Sequence, residues 1–139
     1  MKKALKLIPF LVLIIATSCA VQKSESNIKE VVFDAQTRGR SENITLVSNS
    51  LTFKTQKEAK TFSINKVQRE ELETVISKIK VKGISDLKAP SDKRTYDGAM
   101  NATITLKIGD KTYVSSSFDD DNPPAELKPI VSLLRGFVR

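Results

Sequence analysis

Two runs of alternating apolar residues constrain the fold of this chain more than any other feature. Residues 43–55 read NITLVSNSLTFKT, and residues 100–118 read MNATITLKI and KTYVSSSF on either side of Gly109-Asp110. In each run, apolar residues stand at every second position around a short polar turn, which is typical of a β-hairpin. The alternating residues are Ile44, Leu46, Leu51 and Phe53 around Ser48-Asn49-Ser50, then Ile104, Leu106 and Ile108, with Tyr113 and Val114 on the partner.

Further strands are predicted before and after the first hairpin. Residues 28–34, IKEVVFD, are rich in β-branched and aromatic residues, and residues 35–43 then form a turn with Gly39 as its pivot. Residues 59–64, AKTFSI, extend the hairpin as one more strand. The sequence does not decide whether the first strand pairs with the last hairpin.

A helix is predicted over residues 66–81. Asn65 and Gln68 have the spacing of a capping box, and Gly83 is a natural stop. The glutamates lie near the start of the predicted helix and the lysines near its end, as the helix dipole favours. The apolar positions recur at i, i+3, i+4 and i+7, which places them on one face: Leu72, Val75, Ile76 and Ile79.

A second helix is predicted after the segment DDDNPPAEL at residues 119–127. Asp121 or Asn122 can cap it, with Pro123 or Pro124 at the first helical position. Its apolar stripe consists of Leu127, Ile130, Val131 and Leu134.

Pro129 falls inside this second helical pattern. A proline deep in a helix costs about 3 kcal/mol, so we expect either a late helix start or a kink near it. Between the two halves, residues 84–99 form a long polar connection with Ile84 and Leu87 as packing anchors. The order predicts an α+β fold, in which two β-hairpin regions form an antiparallel sheet and two helices pack on one face as a two-layer sandwich.

The first 18 residues have the layout of a secretory signal peptide. MKKALK carries three lysines, and LIPFLVLIIATS at residues 7–18 is uncharged. The run is shorter than the roughly 20 residues that a membrane-spanning helix needs, and it contains Pro9. The alternative is a permanent membrane-spanning helix, and the short length of the run and Pro9 both argue against it.

Cys19 is the single cysteine and follows the small residues Ala16-Thr17-Ser18 directly. This arrangement resembles the lipobox of bacterial lipoproteins, although the usual leucine is replaced by Ala16. The resemblance implies acylation of the Cys19 thiol; the alternative is ordinary signal cleavage that leaves a free thiol without a partner in its own chain. We therefore expect a signal peptide at residues 1–18, a lipidated cysteine with a flexible tether at residues 19–27, and one α+β domain at residues 28–139.

This organisation predicts an outer-membrane lipoprotein that faces the periplasm, attached to the membrane through its lipid. Removing residues 1–18 takes away three lysines and lowers the formal charge from +7 to +4. The remaining basic residues form no cluster, which argues against nucleic-acid binding. The chain has no histidine, so the commonest general base and metal ligand are absent from the sequence. We therefore expect that this protein is not an enzyme and that it binds no cofactor.

Most of the predicted domain resembles a group of small uncharacterised lipoproteins and secreted proteins of Bacteroidota. The shared stretches are TRGR (37–40), LKAPSDKRTYDGA (87–99), ATITLKIGDKTY (102–113) and SFDDDNPPAEL (117–127). The resemblance implies an envelope domain whose distinctive residues lie in loops, and it implies no particular activity. Many members carry a histidine where this chain has Asp120, so a role that demands imidazole is excluded here.

Two groups of loop residues are candidates for binding. Arg38 and Arg40 flank Gly39 and could hold a phosphate or carboxylate, joined by Arg94 and Tyr96. The alternative is that these residues form an ordinary solvent-exposed turn that binds no ligand. The second group is acidic.

Asp119, Asp120 and Asp121 are weak candidates for Ca²⁺ ligands, with Asp97 from the other loop. Their spacing differs from the known calcium loop, and a capped helix N-terminus explains them better. Ser115-Ser116-Ser117 lacks the adjacent base that a serine nucleophile needs, and an exposed strand edge explains these serines better.

We therefore expect a protein-interaction or accessory module, with an envelope protein as its partner. The alternative is a small-ligand or Ca²⁺-binding domain that uses loops 37–42, 90–98 and 118–122.

Overall fold

The computed structural model describes residues 27–139. It contains a mostly antiparallel sheet with two α-helices, consistent with the predicted α+β class. Short 3₁₀ turns lie at Val81–Asp86 and Lys93–Tyr96. The strands and helices are β1 (Ile28–Thr37), β2 (Arg40–Val47), β3 (Ser50–Thr55), β4 (Ala59–Ser63), α1 (Lys66–Ser77), β5 (Asn101–Ile108), β6 (Lys111–Val114), β7 (Phe118–Asp119) and α2 (Lys128–Phe137).

Strand β1 lies in the middle of the sheet. The strand order is β4-β3-β2-β1-β5-β6, and the short β7 pairs with β5. The pairing that the sequence left open is therefore between β1 and β5, which run antiparallel with Phe33 opposite Ile104. A ten-residue strand thus holds the two hairpin regions together on its two sides.

The core is built from alternate positions of the central strands. Val31, Phe33 and Ala35 of β1 are fully buried, and so are the residues opposite them on β2 and β5, except that Glu42 opposite Ala35 is only partly buried. Because side chains alternate between the two faces of a strand, the register brings these positions into one apolar layer. Residues from α1 and α2 belong to the same hydrophobic cluster: Leu72, Ile76, Ile130, Val131 and Leu134.

Helix α1 begins as predicted and ends four residues early. The side chain of Asn65 accepts a hydrogen bond from the backbone N–H of Gln68, and the Gln68 side chain accepts one from the Asn65 N–H, so the capping box is confirmed. The predicted end at 81 and the stop at Gly83 are wrong. The N–H of Lys78 donates to the Val75 carbonyl, three residues back, and this tightening into 3₁₀ geometry ends the helix at Ser77.

Helix α2 begins at Lys128, with Pro129 in its first turn. The predicted late start is therefore confirmed, since a proline near position N1 loses no intrahelical hydrogen bond. The predicted caps and first helical prolines are wrong: Leu127 occupies the cap position, and Asp121, Asn122, Pro123 and Pro124 all precede the helix.

The second hairpin is shorter than predicted. Strand β6 ends at Val114, because the Ser115 hydroxyl then accepts from the backbone N–H of Ile104 and the N–H of Ser116 donates to the Ile84 carbonyl. The first strand, in contrast, continues to Thr37, so the predicted turn 35–43 shrinks to two residues.

Within residues 27–139, no helix combines the length and apolar character needed to cross a membrane. The predicted signal peptide, Cys19 lipidation and nearly all of the tether lie outside the described residues.

Candidate functional site

Loops 37–42 and 90–98, which carry the predicted binding residues, meet at one end of the sheet. Thr37 pairs with Arg40 across a two-residue turn, so Arg38 and Gly39 form the end of the β1–β2 hairpin. Gly39 has φ +74°, a left-handed conformation that glycine adopts without strain. The 3₁₀ turn Lys93–Tyr96 and Asp97 approach this hairpin end from the other side.

Asp97 joins the loops directly. Its carboxylate accepts a hydrogen bond from the Thr37 hydroxyl at 3.0 Å, and its second oxygen lies 3.8 Å from Nε of Arg38. Asp97 itself has φ +61°, which aspartate tolerates better than most residues. Loops 37–42 and 90–98 are thus held together by a contact between residues 60 positions apart.

The exposed side chains at this end are an aromatic ring and two guanidinium groups. The side chain of Arg38 is 93% exposed and Tyr96 is 71% exposed. A Cβ atom on Gly98 would lie only 2.7 Å from the Tyr96 ring, so a glycine there lets the ring lie over the backbone. We call Arg38, Arg40, Tyr96 and Asp97 the distal tip, because they lie at the end of β1 farthest from Asn27.

Arg94 belongs to a different part of the structure. Its side chain is 16% exposed, and Nη1 donates to the Ser91 carbonyl at 2.7 Å and to Asp119 Oδ1 at 3.1 Å. The structure therefore gives Arg94 a supporting role beneath the loop, in place of the predicted anion fork with Arg38 and Arg40.

Asp119 anchors the 90–98 loop to the sheet. Its carboxylate is fully buried and accepts hydrogen bonds from the Ser91 hydroxyl at 2.6 Å, from the Lys93 N–H at 2.8 Å and from the Arg94 N–H at 3.0 Å. Burial alone would raise the pKa of this carboxyl, but the hydrogen bonds from Ser91 and from the Arg94 and Lys93 backbone, with the Arg94 guanidinium, lower the pKa to about 2. Asp119 is therefore a charged structural group.

Asp120 and Asp121 also accept hydrogen bonds from other residues of the same chain. Asp120 accepts from the Met100 N–H at 2.7 Å and from Nη2 of Arg135 at 3.0 Å. Asp121 accepts from the Lys93 ammonium, and this hydrogen bond raises the pKa of Lys93. Within the described residues 27–139, no three Asp, Glu, Cys or His side chains converge in a group that could hold a metal ion.

Arg135 was not singled out from the sequence. Its Nε and Nη2 donate to the two carboxylate oxygens of Glu42 at 2.9 Å each, and its guanidinium lies 4.9 Å from the centre of the Phe33 ring. The only signal in the sequence was an arginine directly after the buried Leu134. Glu42 stands 93 positions away, and no local pattern connects the two.

Comparisons with protein-family models, with curated proteins and with solved structures found no match to this chain. The distal tip can therefore be judged only by its own chemistry. It offers guanidinium donors beside an exposed phenol ring, on loops that a buried carboxylate and a side-chain hydrogen bond hold in place. Such a surface is suited to recognising another molecule.

Proposed function

We propose that this protein is a lipid-anchored envelope lipoprotein that presents its distal tip to a partner protein. The observation that carries the proposal is the direction of β1. This strand begins at Ile28, nine residues after Cys19, and ends at Thr37 beside the tip. An anchor at Cys19 would place the membrane at one end of the sheet and the tip at the other.

The lengths involved agree with this arrangement. A ten-residue strand with a rise of about 3.3 Å per residue is roughly 30 Å long. The eight residues between Cys19 and Ile28 reach about 30 Å at most when fully extended. With the domain upright on its tether, the tip would therefore stand up to one strand length farther from the anchor than the start of β1, within reach of proteins in the periplasm.

The side chains of the tip favour a protein partner. Tyr and Arg are enriched at protein interfaces, where they form many of the strongest contacts. Arg38 and Tyr96 are both exposed here, and the Thr37–Asp97 hydrogen bond reduces the ordering that binding would require. Loops on a rigid scaffold are also the usual position of binding residues.

The proposal includes two finer features of organisation. Helices α1 and α2 cover the same face of the sheet in a two-layer sandwich, which is supported by their buried residues sharing one cluster with the inward strand positions. The protein resides on the periplasmic side of the outer membrane, which is supported by the signal-like residues 1–18 and the lipobox-like Ala16–Cys19.

The anchor is tested by metabolic labelling of cells with an alkyne analogue of palmitate. The wild-type chain should be labelled and remain with the membrane fraction, and Cys19→Ser should lose both properties. A matched control places a thiol outside the motif, in the double variant C19S/S24C, and should also stay unlabelled. Labelling of Cys19→Ser, or unchanged fractionation, would exclude the anchor.

The tip is tested by crosslinking the full-length protein in cells. Substituting Arg38→Ala together with Arg40→Ala, or Tyr96→Ala alone, should remove a reproducible crosslinked partner while expression is unchanged. The control variant replaces Lys107 and Lys111 with alanine, in the β5–β6 hairpin at the end of the sheet opposite the tip. A partner retained by the tip variants and lost in the control would place the interface elsewhere.

A further inference from the structure

A second surface, distinct from the distal tip, lies between the end of α1 and the segment that leads into α2. Two adjoining hollows of about 380 Å³ and 280 Å³ share Lys78, Ile79 and Glu126 in their walls. We call this feature the helix groove. Its apolar lining comes from Val75, Ile79, Leu87, Ala125 and Pro129, with Ile84 beneath.

The apolar stripe of α1 is wider than the core requires. Leu72 and Ile76 are buried, with exposed fractions of 1% and 3%. Val75 and Ile79 are only partly buried and line the groove. Ile79 lies in the turn just after the helix, where its N–H donates to the Ile76 carbonyl, and because it lines the same hollow as Val75 the two side chains form one apolar edge.

The charges on the two walls of the groove differ in sign. Lys78 and Lys80 lie on the α1 side, and Glu126 lies on the opposite side. In residues 27–139, none of the three forms an ion pair within 4 Å. Both lysines are exposed, so the α1 side of the groove is basic.

We propose that the helix groove binds an amphipathic segment of a partner protein, with carboxylates along the edge that faces Lys78 and Lys80. The apolar side of the segment would cover Val75 and Ile79, and its acids would meet the two ammonium groups. This is the helix-in-groove mode of recognition, in which apolar anchors give affinity and flanking charges set orientation and partner choice. The inference does not depend on the anchor or on the distal tip.

The test uses the full-length chain in phosphatidylcholine nanodiscs and two synthetic amphipathic 14-residue peptides, one of Leu and Glu and one of Leu and Lys. Binding is measured by fluorescence anisotropy after subtraction of the signal from empty nanodiscs. The Leu/Glu peptide should bind at least tenfold more tightly than the Leu/Lys peptide. The double variant K78E/K80E should reverse this preference, and Glu126→Lys should strengthen binding of the Leu/Glu peptide several-fold.

A control double variant, K54E/K57E, changes the net charge equally on β3 and the turn that follows it, and should bind like the wild type. Thermal unfolding followed by circular dichroism verifies that every variant is folded. Equal binding of the two peptides, binding no stronger than to empty nanodiscs, or an unchanged preference in K78E/K80E would each overturn the proposal. Loss of binding in K54E/K57E would show a non-specific charge effect and would overturn it too.

Discussion

The hydroxyl of Thr37 donates a hydrogen bond of 3.0 Å to Oδ1 of Asp97 and so joins the end of β1 to the loop that precedes β5. Asp97 is largely accessible and Thr37 is only partly buried, so the bond contributes little to global stability, about 0.5–1.5 kcal/mol at most. Its main effect is local: it fixes the position of the loop that carries Tyr96.

Replacing Thr37 with valine should loosen this loop while the fold is kept. Valine has the same branched shape and suits a strand, but it cannot donate to Asp97. Amide hydrogen exchange of residues 95–98 should therefore become faster, with the melting temperature changed only slightly. Thr105→Val is the matched control, since Thr105 lies on β5 with no side-chain hydrogen bond in the described part of the chain. Equal exchange in both variants would show that the hydroxyl does not hold the loop.

Because Asp119 is charged in the folded state, the stability of the protein should decrease at acidic pH. A carboxyl with a pKa of about 2 in the folded state and about 3.9 in the unfolded state contributes roughly 2–3 kcal/mol of stability at neutral pH. The sign follows from the depressed pKa: the contribution is complete above about pH 5 and is lost as the pH falls towards 2. Urea unfolding at a series of pH values measures it.

Asp119→Asn provides the comparison for this dependence. The asparagine amide cannot accept from Ser91, Lys93 and Arg94 together, so the variant should be less stable at pH 7 by about 2 kcal/mol or more. The difference in free energy of unfolding between the wild type and the variant should become smaller below pH 4. A constant difference from pH 7 to pH 2.5 would contradict the assignment of Asp119 as a charged group.

Arg135→Met should be strongly destabilising, by roughly 2–3 kcal/mol, because Glu42 and Asp120 would be left partly buried without their cation. Arg135→Lys should recover only part of this loss, since an ammonium cannot reproduce the two parallel bonds to Glu42. Chemical denaturation of Arg135→Met, Glu42→Gln and the double variant forms a cycle. Additive effects in this cycle would show that the pair is not coupled.

Two glycines provide a matched test of backbone strain. Gly39→Ala should lower stability by about 1 kcal/mol, because its φ of +74° is unfavourable for a residue with a Cβ atom. Gly83→Ala should be neutral or slightly stabilising, since Gly83 has no positive φ and its Cβ would meet no atom within 4 Å. Thermal unfolding of both variants measures the difference. Similar changes at the two positions would contradict this explanation.

The local parts of the fold could be predicted from the sequence. The hairpin turn at Gly109-Asp110 and the capping box of Asn65 depend on residues within a few positions of one another, and both patterns are visible in the printed chain. The pairing of β1 with β5 could not be predicted, because it joins Phe33 to Ile104 across more than half of the chain without a local signature.

The candidate site shows the same division. Arg38 and Tyr96 were identified because they stand in polar loops, and the structure keeps both exposed. The sequence offers Asp119, Asp120 and Asp121 as weak Ca²⁺ ligands and favours instead a role at a capped helix N-terminus, and both interpretations depend only on their immediate neighbours. Whether Asp119 is free depends on Ser91 and Arg94, and only the folded chain brings these donors to it.

The central position of β1 has a mechanical consequence. Tension applied through the residues before Asn27, against a partner that holds the distal tip, would act along the length of β1. The strand is paired on both sides, to β2 and to β5, over nearly its full ten residues. If the partner holds Arg38, the load runs along the covalent backbone of a strand that is already extended. If it holds Tyr96, β1 must slide against β5 with many hydrogen bonds loaded together, whereas an edge strand under a perpendicular pull would unzip one hydrogen bond at a time. The domain is therefore built to resist force along the axis that connects its two ends.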